Sequence, residues 1–230
     1  MILKKIVQTG LLATLYFLYS CNGPSDKTKE DNGPTLFTLL NPEQTNINFQ
    51  NTLTEGLNTN ILMYEYFYNG GGVAAGDFNK DGLVDIYFTS NMDENKLYLN
   101  KGNMQFEDIT LLSGAGGRSG PWKTGVNAVD INADGKLDIY LCYSGALPPE
   151  KRANQLFINT GNDNLGRPRF EERAEAYGLA STGFSNQSYF LDYDKDGDLD
   201  MLLLNHNPKN LPLLNETGTA ELFKQDSPEK

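Results

Sequence analysis

The chain has 230 residues, 39% hydrophobic and 21% charged, so it has enough apolar content to bury a core in one domain or two small ones. Its 19 Lys and Arg stand against 30 Asp and Glu, a net charge of −11. That balance argues against nucleic acid or an anionic membrane surface as partner, because phosphate binding needs a basic patch, and it is compatible with cations. Twenty-three Gly indicate many turns, and twelve Tyr with twelve Phe favour strands.

Residues 1–20 have the layout of a secretion signal. "MILKK" gives a positive start, and "IVQTGLLATLYFL" (6–18) is apolar but shorter than the roughly 20 residues a membrane span needs. "LYSC" (18–21) places a small residue before Cys21 and resembles the bacterial lipobox, where cleavage leaves the cysteine as a lipid-modified N-terminus. Tyr19 departs from that pattern, which prefers a small or β-branched residue there. The alternative is an ordinary signal peptide, or a short membrane anchor, with a chance cysteine. Lipidation at Cys21 implies a protein anchored to a membrane of the bacterial cell envelope. Asn22, in place of aspartate, points by analogy to outer-membrane sorting. Residues 21–45, with "NGPSDKTKEDNGP" (22–34), bury almost nothing and read as a flexible tether. The domain is expected over 46–230, with a helical turn at the start of 36–60. Cys142 lies inside an apolar strand pattern and reads as a buried free thiol.

Three segments of the domain repeat: "GVAAGDFNKDGLVDIYFTS" (72–90), "GVNAVDINADGKLDIYLCY" (125–143) and "QSYFLDYDKDGDLDMLLLN" (187–205). Their first acids, Asp77, Asp130 and Asp192, are 53 and 62 residues apart. "NKLYLNKGN" (95–103) matches "NQLFINTGN" (154–162), and "NLPLLNETG" (210–218) is a weaker third copy. "FEDIT" (106–110) matches "FEERAEAYGLA" (170–180). Each unit predicts four short strands. One leads into the acidic loop (126–129), one leaves it (83–89, 137–143), one runs into an Asn-x-x-Gly or Asn-x-Gly turn (97–99, 156–158), and the last opens at Phe106 or Phe170. One helical turn is expected at 171–178. Four short strands per unit with turns between them is the pattern of a β-propeller blade, so the fold class is all-β.

The acidic loops read D-x-[ND]-x-D-G-x-x-D. Positions 1, 3, 5 and 9 are Asp77, Asn79, Asp81 and Asp85, then Asp130, Asn132, Asp134 and Asp138, then Asp192, Asp194, Asp196 and Asp200. Position 6 is Gly82, Gly135 or Gly197, which permits a sharp turn. Carboxylates gathered this closely repel at about 1 kcal/mol or more per pair unless a cation sits among them. Calcium accepts six to eight oxygens including a backbone carbonyl, here that of Leu83, Lys136 or Asp198 at position 7, giving up to three sites. Magnesium demands a tighter octahedron, and the loops hold no His or thiol for a transition metal. An EF-hand needs glutamate at position 12 and flanking helices, whereas position 12 here is Phe88, Leu141 or Leu203 and the flanks are β. The plain alternative is a set of Asx-rich turns.

These residues resemble the FG-GAP or VCBS repeats of integrin-α-type β-propellers. "GVAAGDFNKDGLVDIYFTSN", "NKLYLNKGN" and "FEDIT" look more narrowly like bacterial lipoproteins related to the cartilage acidic protein family, over roughly residues 45–218. The resemblance implies calcium-stabilised extracellular scaffolds with binding or adhesion roles. Only three to three and a half units fit the chain, whereas propellers close with four to eight blades. The expectation is therefore a propeller-like array that is incomplete, truncated relative to a longer ancestor, or completed by a partner.

No catalytic constellation is visible. His206, the single histidine, is expected in a solvent-facing loop, and "GAGGRSG" (114–120) lacks the Lys-[Ser/Thr] of a phosphate loop and reads as a connection between units. Trp122 is read as packing, with a glycan-binding face as the alternative. The favoured function is a calcium-binding, lipid-anchored scaffold, not an enzyme, that binds protein or glycan. A glycan-processing hydrolase is the alternative and needs acids outside the loops, such as Glu107, Asp108 or Glu171, to converge in a cleft. A non-functional remnant of a longer protein is the third.

Overall fold

The computed structural model describes residues 36–206. The repeat copy at 210–218 and Cys21 lie outside the described residues. Residues 40–206 belong to one compact unit. The described residues contain ten strands and three single-turn helices. None of the helices among the described residues is long and apolar enough to cross a membrane.

The strands obey the repeat. β1 (Val73–Gly76), β2 (Asp85–Phe88), β3 (Lys96–Asn100) and β4 (Phe106–Asp108) form an antiparallel meander in chain order. β5 (Lys123–Val129), β6 (Asp138–Tyr143), β7 (Gln155–Asn162) and β8 (Pro168–Glu172) form a second, and β9 (Ser185–Leu191) pairs β10 (Asp200–Asn205) in a third. Registers superpose residue for residue. Ala75 faces Ile86, Ala128 faces Ile139 and Phe190 faces Met201, all the same position of the repeat. In the next pairing Ile86 faces Tyr98 as Ile139 faces Phe157.

Each sheet buries side chains by alternation, and β6 is buried along its whole length because both of its faces are covered. Ile139, Leu141 and Tyr143 meet Tyr87, Leu97, Leu99 and Phe78 of the first unit. Tyr140 and Cys142 face the other way, in a cluster with Phe190, Met201 and Leu203 of the third. The sheets therefore stack face to face with one core between each adjacent pair.

The first strands of the units lie side by side. The Gly72 N–H donates to Thr124 O at 3.0 Å, and Thr124 Oγ1 donates to Ser185 O at 2.7 Å. Successive four-stranded sheets with neighbouring first strands make this an all-β, propeller-like array. The described residues hold two four-stranded units and two strands of a third.

The helices are local caps. α1 (Pro42–Thr45) is closed by a capping box, with Asn41 Oδ1 accepting from the Gln44 N–H at 2.9 Å. α2 (Thr110–Ser113) follows β4, where Asp108 Oδ1 accepts from the Thr110 N–H at 3.0 Å, and α3 (Pro149–Arg152) begins at a proline. Residues 173–178 make one turn, with the Tyr177 N–H donating to Arg173 O at 3.1 Å.

Candidate metal centres

Every acidic loop joins the first strand of its unit to the second, so the hairpin geometry repeats with the sequence. Two backbone positions turn the same way in all three loops. Position 6 has φ of 87°, 80° and 98° at Gly82, Gly135 and Gly197. Position 4 also lies in the left-handed region, at Lys80 (61°), Ala133 (54°) and Lys195 (64°), where each side chain pays a steric cost of about 1–2 kcal/mol.

Hydrogen bonds hold that backbone. In the first loop Asp77 accepts from the N–H groups of Asp81 (3.1 Å) and Gly82 (2.8 Å), Asn79 Oδ1 from Asp81 (3.2 Å), and Asp81 from Leu83 (2.9 Å). The second loop repeats this. Asp130 accepts from Asp134 and Gly135, Asn132 from Asp134, and Asp134 from Lys136. In the third, Asp194 accepts from Asp196 (3.3 Å) and Asp196 from Asp198 (3.1 Å).

Position 9 anchors the loop to the sheet. Asp85 is fully buried and accepts from the Phe78 N–H at 2.9 Å and the Asn100 N–H at 2.8 Å. Asp138, equally buried, accepts from Ile131 (3.1 Å) and Asn159 (2.7 Å). Asp200 is exposed and accepts from Tyr193 at 2.9 Å. In the first two loops the closing acid thus ties its loop to the third strand of its unit. Burial, together with the charges of Asp81 and Asp77, raises the Asp85 carboxyl to about 6, and burial also holds Asp138 above its usual range.

The donor set fits a hard cation. Every side-chain donor is oxygen, and each carboxylate oxygen that accepts one N–H keeps a second lone pair. Asp192, Asp194 and Asp200 each bring a carboxylate oxygen to within 4.8 Å of the others, the one such triad of acids among the described residues. In the first two loops an asparagine holds position 3, and its Nδ2 donates to the position 5 carboxylate, Asn79 to Asp81 at 3.0 Å and Asn132 to Asp134 at 3.2 Å. The second loop also carries a tethered charge. Lys136 Nζ lies 2.6 Å from Asp134 Oδ2 and, by hydrogen bonding, holds that carboxyl below its usual range.

Other candidate residues have local partners. Glu107 pairs with Lys101 (3.9 Å), Asp108 with Lys96 (3.1 Å) and Glu171 with Arg173 (2.6 Å), so the acids named for a hydrolase are each neutralised by a separate base. A cavity of about 680 Å³ is lined by residues of 48–50, 92–96 and 116–123, and no loop acid reaches it. Residues 114–120 connect α2 to β5, and the Arg118 guanidinium sits 4.8 Å over the Tyr143 ring. Trp122 is buried against Tyr64 and Phe67, both at 5.3 Å, which is the packing role.

His206 corrects its expectation. It is half-buried, 4.5 Å from the Tyr66 ring and 5.1 Å from Phe184, and its N–H donates to Phe184 O at 3.1 Å. Cys142 is buried as expected, and burial pushes its thiol up to about 12.

A family model described as FG-GAP-like repeat matches residues 77–141, which span the first two acidic loops and the strands between them. The FG-GAP-like match thus lies within the first two units of the all-β, propeller-like array. The chain is similar to cartilage acidic protein 1, at 31% identity over 148 residues for both the Mus musculus and Homo sapiens proteins. The Xenopus tropicalis protein of that name is 28% identical over 155 residues. These alignments cover 63–65% of this chain but 22–23% of each relative, so the chain matches less than a quarter of their length.

Proposed function

We propose that this chain is a calcium-stabilised repeat scaffold of the adhesion type, held on the bacterial cell envelope at the outer membrane by a lipid on Cys21. Residues 1–20 are the signal, 21–45 the tether, whose last residues from Leu40 fold with the domain as α1, and 46–230 the calcium-binding array. Its partners are protein or glycan rather than nucleic acid, and it works without catalysis.

The observation that carries the reading is the threefold recurrence of one loop at one place in the fold. Three nine-residue segments share ligand spacing, two left-handed positions and a closing aspartate bonded to the position 2 N–H. Asx turns alone need neither the same acid at position 9 nor three carboxylates meeting in the last copy. Similarity to cartilage acidic protein 1 supports a non-enzymatic scaffold.

Calcium bound by the side chains of positions 1, 3, 5 and 9 and the position 7 carbonyl supplies the charge these loops lack. It staples the hairpin at the end of each first strand. Thermal unfolding of the full chain, with calcium and with a chelator, tests this. A melting temperature that rises with calcium and returns with chelator is expected. Identical curves overturn the calcium reading.

A further inference from the structure

We propose that the β7–β8 turn of the second unit is the outer support of the first acidic loop, so that cation binding at Asp77–Asp85 and docking of the two units are one coupled event. The inference rests on the calcium reading above and assigns a role to Asn159, Asn162 and the turn at 163–167.

Three bonds join this turn to positions 2 and 3 of the loop. Asn159 Nδ2 donates to Phe78 O at 2.8 Å, and Asn162 Nδ2 donates to Asn79 O at 2.7 Å. In return, Asn79 Nδ2 donates to Gly166 O at 3.1 Å. Bonds within the loop already orient the Asn79 amide, Nδ2 donating to Asp81 Oδ2 and Oδ1 accepting from the Asp81 N–H, as they orient Asn132 in the second loop. The Gly166 carbonyl, which only accepts, takes a second bond from the same Nδ2 and so favours the same orientation. The second unit thus reinforces the orientation of a candidate ligand in the first and holds the backbone carbonyls on either side of it.

The turn is rigid enough for that task. The Asp163 carboxylate accepts from the N–H groups of Arg167 (3.1 Å) and Leu165 (2.9 Å) and pairs with the guanidinium groups of Arg167 (2.9 Å) and Arg169 (2.8 Å). These bonds, the Arg167 N–H foremost, hold its carboxyl far below the usual range.

The matching turn of the first unit shows what is special. Asn100 Nδ2 donates to Val84 O within its own hairpin, as Asn159 does to Leu137 O. The additional reach of Asn159 and the whole contact of Asn162 go to the preceding unit's loop. Outer partners that orient a metal ligand typically change metal affinity by ten- to a hundredfold, and the coupling acts equally in both directions.

Calcium titration calorimetry on the full chain carrying Asp130→Ala and Asp192→Ala isolates the first loop. Adding Asn162→Ala, an exposed position, is expected to weaken binding by about fivefold or more. Hydrogen exchange on the otherwise wild-type chain supplies a readout that does not depend on that background. Calcium is expected to slow amide exchange across 159–167, and Asp77→Ala is expected to abolish the slowing. If the wild-type chain binds calcium but Asn162→Ala stays within about twofold, or exchange across 159–167 ignores calcium, the coupling is refuted and the calcium reading stands. A wild-type chain that takes no calcium removes both.

Discussion

Replacing Gly72 by alanine inserts one methyl group where the first strand of unit one lies against that of unit two. Built on the backbone, it falls 2.8 Å from Thr124 O, 2.9 Å from Val126 N and 3.1 Å from Gly125 Cα. All three are backbone atoms, so no side chain can swing aside. Relief requires the strands to part at the Gly72 N–H to Thr124 O bond. Overpacking of this kind costs about 1–3 kcal/mol. Against it, alanine gains about 0.4–1 kcal/mol by restricting the unfolded chain, since Gly72 does not occupy the left-handed region. The midpoints leave a net loss of about 1.3 kcal/mol, which for a domain of this size lowers the melting temperature by about 3–5 °C. Circular dichroism melts of the full chain measure it, with Gly70→Ala as control because nothing lies within 4 Å of its added methyl. The control is expected at or above wild type. Should Gly72→Ala also melt at or above wild type, β1 and β5 do not touch and the packing of the units is wrong.

Lys123 is buried, and its Nζ donates to Asp93 O and Gly120 O. Burial pulls it from 10.5 down to about 8 despite the nearby charges of Asp93 and Glu94. The folded state resists protonation that the unfolded chain accepts. Stability relative to Lys123→Met should therefore climb by about 3 kcal/mol from pH 8 to 10.5, and urea unfolding that shows a flat difference would exclude a buried charge there. In the second acidic loop, Lys136→Ala frees Asp134 from its tethered amine and should raise calcium affinity by about threefold in a chain with Asp77→Ala and Asp192→Ala. Equal affinities by calorimetry would show that the lysine does not compete. Cys142 should resist a thiol reagent at pH 8 in the folded chain and react fully in denaturant, followed by peptide mass spectrometry, and rapid native labelling would contradict its burial between the second and third units.

The repeat made the sheet order and register legible, because one alignment of acids carries every cross-strand pair with it. Ala75 with Ile86, Ala128 with Ile139 and Phe190 with Met201 are the same pair three times, and the alignment of Asp77, Asp130 and Asp192 makes them equivalent. Features set by distant partners were not legible. The double bonding of Asp85 involves Asn100, 15 residues away, so position 9 reads as a ligand and not as the anchor it also is. The left-handed Lys80, Ala133 and Lys195 have no residue type in common, and their backbone is held by bonds around the loop. His206 reads as a loop residue because its neighbour Tyr66 comes from the far end of the domain. The support that Asn162 gives Asn79 spans 83 residues, and its one sequence signal is the repeated Asn-x-Gly-Asn turn.

The central claim is that the acidic loops hold calcium. Equilibrium dialysis of the full chain against calcium counts the bound ions directly. Three per chain are expected, falling to two with Asp192→Ala, whose loop gathers the triad of acids. Zero bound ions, or a count that Asp192→Ala leaves unchanged, would contradict it.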